Sequence, residues 1–210
     1  MIATKYRNTG QACISANRVY VQSGIYDRFA EALTRKVEGL VVGDGFDAGV
    51  QQGPLIDVDA VTKVEEHVAD AASLGARVLC GGRRHDRGGL FFEPTVLADV
   101  DSTMRITREE TFGPVTPLIR FEHESDAIRM ANDTEFGLAA YLFTRDAERT
   151  WRVSAALEAG MIGINTGLIS NEIAPFGGVK QSGLGREGSV YGVDEYMEMK
   201  YLAWEGAGAS

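Results

Sequence analysis

Cysteine is scarce in this 210-residue sequence: Cys13 and Cys80 are the two, and histidine is nearly as rare, at His67, His85 and His123. The cysteines form neither a CxxC pair nor a disulfide framework, and the histidines fall at no metal-ligand spacing, so a zinc site is set aside. Free thiols in a reducing cytoplasm are the expectation. Positive charge is also short. The 21 Lys and Arg stand against 30 Asp and Glu, for a net charge of −9. The basic cluster Arg83-Arg84-His85 lies between Gly81-Gly82 and Gly88-Gly89 and reads as an exposed loop. Nucleic acid and anionic membrane are therefore poor partners. No apolar run approaches the ~20 residues that span a bilayer. The opening Met1-Ile2-Ala3-Thr4-Lys5 has no secretory core and is too short for a transit peptide. No G-x-G-x-x-G follows a strand to supply a dinucleotide fingerprint.

What is present is apolar material in an alternating order. Hydrophobic residues make up 44% of the chain, enough for one domain, or one domain with an appendage. Short extended candidates at Arg18–Gln22, Arg77–Cys80, Phe91–Val100, Val115–Phe121, Ala139–Phe143 and Met161–Asn165 are interleaved with helical patterns. Those patterns are Ile25–Gly39, Val58–Leu74, Ser125–Asn132 and Asp146–Ala159. In Ile25–Gly39 the apolar positions Ile25, Phe29, Leu33 and Val37 recur at a helical step. This alternation predicts an α/β fold, a mostly parallel sheet with helices on both faces. After Asn165 the chain turns Gly-rich, and Tyr196–Trp204 alternates apolar and polar like a strand that pairs outside its own domain. The expected division is a cysteine-bearing domain over 1–192 and a C-terminal oligomerisation strand with a frayed tail over 193–210.

Cys13 is the residue with the most chemistry to offer. The Gly10-Gln11 lead-in supplies a turn that exposes a thiol and its own N–H, and Arg7 and Arg18 add positive potential nearby. Local chemistry alone leaves a buried structural cysteine equally open. The segment Arg7-Asn8-Thr9-Gly10-Gln11-Ala12-Cys13-Ile14-Ser15-Ala16-Asn17-Arg18 resembles the active-site cysteine signature of the aldehyde dehydrogenase superfamily. Glu109-Glu110-Thr111-Phe112-Gly113-Pro114-Val115 resembles its second signature. Pro175-Phe176-Gly177-Gly178 with Ser182-Gly183-Leu184-Gly185-Arg186-Glu187 resembles its third. The three stand in family order, and the resemblance runs essentially end to end.

The resemblance implies that Cys13 attacks an aldehyde carbon, that hydride passes to NAD or NADP, and that water hydrolyses the thioester. It implies that Glu110 holds the nicotinamide-ribose hydroxyls and that Phe112 packs against that end of the cofactor. A carboxylate suits the first task because it accepts two hydroxyl hydrogen bonds. Glu109 is read as a solvated charge. Arg7 and Ser170, the latter in Gly167-Leu168-Ile169-Ser170, resemble the pair that meets the far carboxylate in succinate-semialdehyde dehydrogenases. A guanidinium fork suits a carboxylate. Glutarate semialdehyde, one methylene longer, is not separated by these residues. Phe176 is a wall of the substrate funnel or a core residue. Ser15 stands where some of these enzymes carry a second, redox-switching cysteine, so no such switch is expected. Cys80 reads as a small core residue.

By the same resemblance, the general-base glutamate, the oxyanion-hole asparagine, the nucleotide-binding domain and the first strands of the oligomerisation arm would all precede Met1. The 210 residues alone are then expected to lack turnover, while the parent forms a homo-oligomer, a dimer or tetramer. Two other classes compete with this reading: a cysteine hydrolase or thioesterase, which needs a histidine partner for Cys13, and a non-catalytic assembly module built on the Tyr196–Trp204 strand.

Overall fold

The structure, a computed structural model, describes residues 1–206. Of the tail expected to fray, all but Gly206 lies outside the described residues. The chain opens with a single-turn helix α1 (Ile2–Lys5), followed by β1 (Val19–Gln22), α2 (Tyr26–Glu38), α3 (Val58–Ser73) and β2 (Arg77–Cys80). Then come β3 (Thr95–Ala98), β4 (Val115–Phe121), α4 (Glu124–Asn132), β5 (Phe136–Gly137) and β6 (Ala139–Leu142). The last elements are α5 (Ala147–Ala156), β7 (Met161–Ile164) and β8 (Val179–Lys180).

The main sheet has the order β1-β4-β3-β2, parallel throughout except for the antiparallel edge β2. Successive residues of a strand face opposite sides, and the core divides accordingly. Leu97, Val115 and Ile119 pack with Val61, Val64, Val68 and Ala71 of α3 on one face. Val96 and Leu118 pack with Tyr26, Ala30, Leu33 and Val37 of α2 on the other. Helices thus cover both faces, as the alternation predicts. Two smaller ladders complete the fold, the parallel pair β6–β7 and the antiparallel pair β5–β8.

Two expectations are corrected. The buried stripe of α2 is Tyr26-Ala30-Leu33-Val37, which keeps Leu33 and Val37 of the expected set, while Phe29 is partly buried and Ile25 is the exposed N-cap. The Phe91–Val100 candidate shrinks to Thr95–Ala98. Pro94 has no N–H to donate, and Asp99 turns out of the ladder at φ +57°. The expected C-terminal strand would pair outside its own domain; within this chain Asp194–Tyr196 make a short turn, and 197–206 carry no regular structure. A strand is stable only when its N–H and C=O groups meet a neighbour's. Here the side chains of Tyr196, Met199, Tyr201, Leu202 and Trp204 stand in solvent.

Helix starts follow local chemistry. The Asp57 carboxylate accepts from the Ala60 N–H at the start of α3, and Asp146 does the same for Arg149 N–H at α5. Glu124 of α4 accepts from Arg149 and Arg152 of α5, which hold its carboxyl down at about 2. Among the described residues no helix is long and apolar enough to cross a membrane.

Candidate active site

Cys13 is exposed on a turn set up by a left-handed run. Asn8, Thr9 and Gly10 have φ of +52°, +58° and +75° in succession. A β-branched residue in that region is strained, by about 1–3 kcal/mol. The turn is held by the Asn8 side chain donating to Gln11 O at 2.8 Å, by Gln11 N–H donating to Asn8 O at 3.0 Å, and by the Thr9 hydroxyl donating to Gly53 O at 3.2 Å. Among the described residues no hydrogen bond uses the Cys13 N–H, which leaves it able to donate to an oxyanion.

Gly10 ties the first two signature segments together. A Cβ there would lie 2.2 Å from Gly113 O, so only glycine admits this approach. Across the seam, the Asn17 side chain donates to Ile106 O and Glu109 O and accepts from Thr111 N–H. Glu110 is exposed, and Phe112 follows at φ +50°, itself 39% exposed. Thr111 between them is buried at 2%. Both expected cofactor residues therefore project from a fixed segment beside the cysteine turn.

Arg7 is exposed one turn before Cys13. The Gly167–Ser170 loop packs on α1 just upstream, where a Cβ on Gly167 would meet Thr4 Oγ1 at 2.1 Å. Ser170 is exposed on that loop. Phe176 is half-buried and bridged to Glu187 through backbone bonds of 2.9 and 2.7 Å, and among the described residues no hydrogen bond joins it to the cysteine turn. Gly183, Gly185 and Gly188 have dinucleotide-loop spacing but open no α-helix.

Four residues of the site were not singled out from sequence. Tyr141 of β6 donates its hydroxyl to Ile14 O at 2.8 Å, and its ring lies against the Cα face of Gly163 beside Ile169. It thereby links the cysteine turn to the Ser170 loop. Burial pushes its phenol up to about 12, with Arg7 pulling down and Cys13 pushing up. Lys5 is 1% exposed, and burial lowers its ammonium to about 8 while the Glu110 charge works in the opposite sense. His67 and Asn17 hold the Glu109–Thr111 backbone and side chains. Their partners lie far away in sequence, so no local pattern marks the pairings. The one visible signal was a histidine on the apolar stripe of α3.

The remaining reactive groups have other uses. Cys80 is half-buried, and desolvation pushes its thiol up to about 11. His67 bonds Thr111 and Glu109, and His85 accepts from Arg87 N–H. Among the described residues no histidine is hydrogen-bonded to Cys13, the pairing a cysteine hydrolase needs.

Comparison with known proteins follows the same lines. A model of the aldehyde dehydrogenase family matches residues 1–202. The chain is 62% identical over 201 residues to the NADP(+) succinate-semialdehyde dehydrogenase GabD of Escherichia coli (strain K12), covering 96% of this chain and 42% of that protein. It is 58% identical over 205 residues to a glutarate-semialdehyde dehydrogenase of Pseudomonas aeruginosa, covering 98% and 42%. The crystal structure of succinate-semialdehyde dehydrogenase from Burkholderia pseudomallei superposes with a TM-score of 0.95 at 60% identity, covering 96% of this chain and 42% of that one. This chain thus spans less than half the length of these relatives. With the family model matched along almost all of its residues, the chain belongs to the aldehyde dehydrogenase family.

Proposed function

We propose that this chain is the cysteine-bearing part of an NAD(P)-dependent dehydrogenase that oxidises a carboxylate-bearing aldehyde, with succinate semialdehyde the leading substrate. The observation that carries the reading is the Gly10–Gly113 contact, which seats the exposed Cys13 turn against the segment presenting Glu110 and Phe112.

In this reading the Cys13 thiolate adds to the aldehyde carbon and the Cys13 N–H donates to the oxygen that becomes negative. Arg7 and Ser170 take the far carboxylate, the first as a forked donor and the second as a single hydroxyl. Tyr141 keeps the two loops in register. Glu110 and Phe112 fit a nicotinamide-ribose end, one offering a free carboxylate and the other an exposed ring wall. The nicotinamide, when bound, supplies the hydride acceptor. Phe176 serves as a wall of the substrate funnel. The named substrates of the two relatives above are both semialdehydes of dicarboxylic acids, which supports an anionic aldehyde and leaves glutarate semialdehyde as the second substrate. Residues 1–192 serve as the cysteine-bearing domain, and the apolar side chains exposed between Val193 and Trp204 belong to a C-terminal arm that pairs with another copy in a cytoplasmic homo-oligomer.

The test is NAD(P)H formation from succinate semialdehyde by this chain joined to a nucleotide-binding part of the family. Turnover that disappears in Cys13→Ala, with none from the 210 residues alone, is the expected result. Turnover that survives Cys13→Ala contradicts the reading.

A further inference from the structure

Glu110 is flanked by two residues that are each fixed from two directions. On one side the Glu109 carboxylate meets His67 Nε2 at 3.2 Å and Arg105 Nε at 3.1 Å, while its carbonyl accepts from the Asn17 side chain at 3.1 Å. On the other side the Thr111 hydroxyl meets His67 Nδ1 at 3.1 Å, and its N–H donates to Asn17 Oδ1 at 3.0 Å. His67 is fully buried on a helix face otherwise made of Val61, Val64, Val68 and Ala71. A histidine amid these aliphatic side chains must satisfy both ring nitrogens, and it spends them on the two residues that straddle Glu110. Glu110 and Phe112 are left pointing outward, the latter in a left-handed conformation that a bulky residue keeps only when its surroundings impose it.

We infer that His67, with Asn17, is a positioning residue that clamps the Glu109–Thr111 segment and so presents Glu110 and Phe112 to the nicotinamide-ribose end of the cofactor. The inference rests on the reading of those two residues given above. The geometry also sets the ring's tautomer. Ionised Glu109 only accepts, so neutral His67 donates from Nε2 and accepts at Nδ1 the hydrogen bond that the Thr111 hydroxyl donates. Burial favours that neutral form, with Lys63 and Arg105 acting in the same direction and Glu109 opposing. Glu109 in turn is held at about 2 by Arg105 and His67, and Arg105 is shared with Glu66 and, through its N–H, with Asp70.

The test uses nitrogen-labelled 210-residue chain, with nicotinamide mononucleotide at millimolar concentration as probe. The wild type should show the Nε2–H tautomer at His67, a protected Thr111 amide, and probe-induced shifts at Phe112. His67→Leu should speed Thr111 amide exchange about tenfold and abolish the shifts, leaving exchange at Leu118 in the core unchanged. His67→Gln, which can still bond both partners, should restore both readouts. Should His67→Leu fail to fold, Thr111→Val removes the same bond from the other side, with the same two effects expected. Thr111 and Leu118 exchange rising together, or Thr111 exchange staying at the wild-type rate, would overturn the inference. A protected Thr111 released by His67→Leu, with no probe shift in the wild type, would uphold the clamp and remove the cofactor reading instead.

Discussion

At the scale of single residues, Lys5 carries an amine into the core. It is almost wholly buried, and its ammonium is lowered from 10.5 to about 8 by desolvation. Between those values the unfolded chain binds a proton that the folded chain has lost, so the Lys5 contribution to stability rises with pH across that window. Below it, a charged amine is buried at a penalty. Lys5→Met should therefore raise the urea midpoint near pH ~7 and lose that advantage near pH ~10. Cys80, pushed up to about 11, acts in the opposite sense in the same window and cancels when the two chains are compared. A midpoint difference that does not change with pH would contradict this account of Lys5. Nothing in the sequence marked Lys5, because the charge facing it, Glu110, is distant along the chain. Cys13, Glu110 and Phe112 can be proposed from sequence because each stands inside a short contiguous run whose order carries the information. Tyr141, Asn17 and His67 act through pairings that only the fold creates.

At the scale of elements, the decisive contact is between two loops rather than two helices. The Asn8–Gly10 turn and the Glu109–Pro114 segment meet at Gly10 and Gly113 with no room for a methyl group. Gly10→Ala must both adopt φ +75° and push back a carbonyl. It should destabilise the chain by about 2–4 kcal/mol and slow Cys13 alkylation relative to Cys80. Urea denaturation with peptide-resolved thiol labelling measures both, and a variant as stable as wild type would mean the seam gives way cheaply. Element boundaries were legible where punctuation is strong. β2 stops at Gly81-Gly82 and β4 follows Gly113-Pro114, and both match their expected limits. Where a strand depends on what lies beside it, the alternation alone does not supply the partner. Tyr196–Trp204 alternates like a strand, yet its backbone finds no neighbour within this chain.

At the scale of the molecule, alternating strands and helices announced an α/β layer fold, but strand order did not follow from it. β1 lies beside β4, and β2 pairs antiparallel at the edge with β3, where the long 81–94 loop between them starts and ends in close approach at Gly81 and Pro94. The result gathers the Arg7–Cys13 turn and the Glu109–Phe112 segment, with the Gly167–Ser170 loop linked through Thr4 and Tyr141. The proposed selection of an aldehyde bearing a remote carboxylate depends on Arg7 within this arrangement. The most direct measurement is kcat/KM for succinate semialdehyde and for uncharged butanal, in Arg7→Met and wild type, with the chain joined to its nucleotide-binding part. Losing a charge-assisted bond of roughly 1.5–3 kcal/mol should lower the value for the semialdehyde about 10- to 100-fold, chiefly through KM, and leave butanal nearly unchanged. An equal loss for both aldehydes, or none for either, would contradict the claim.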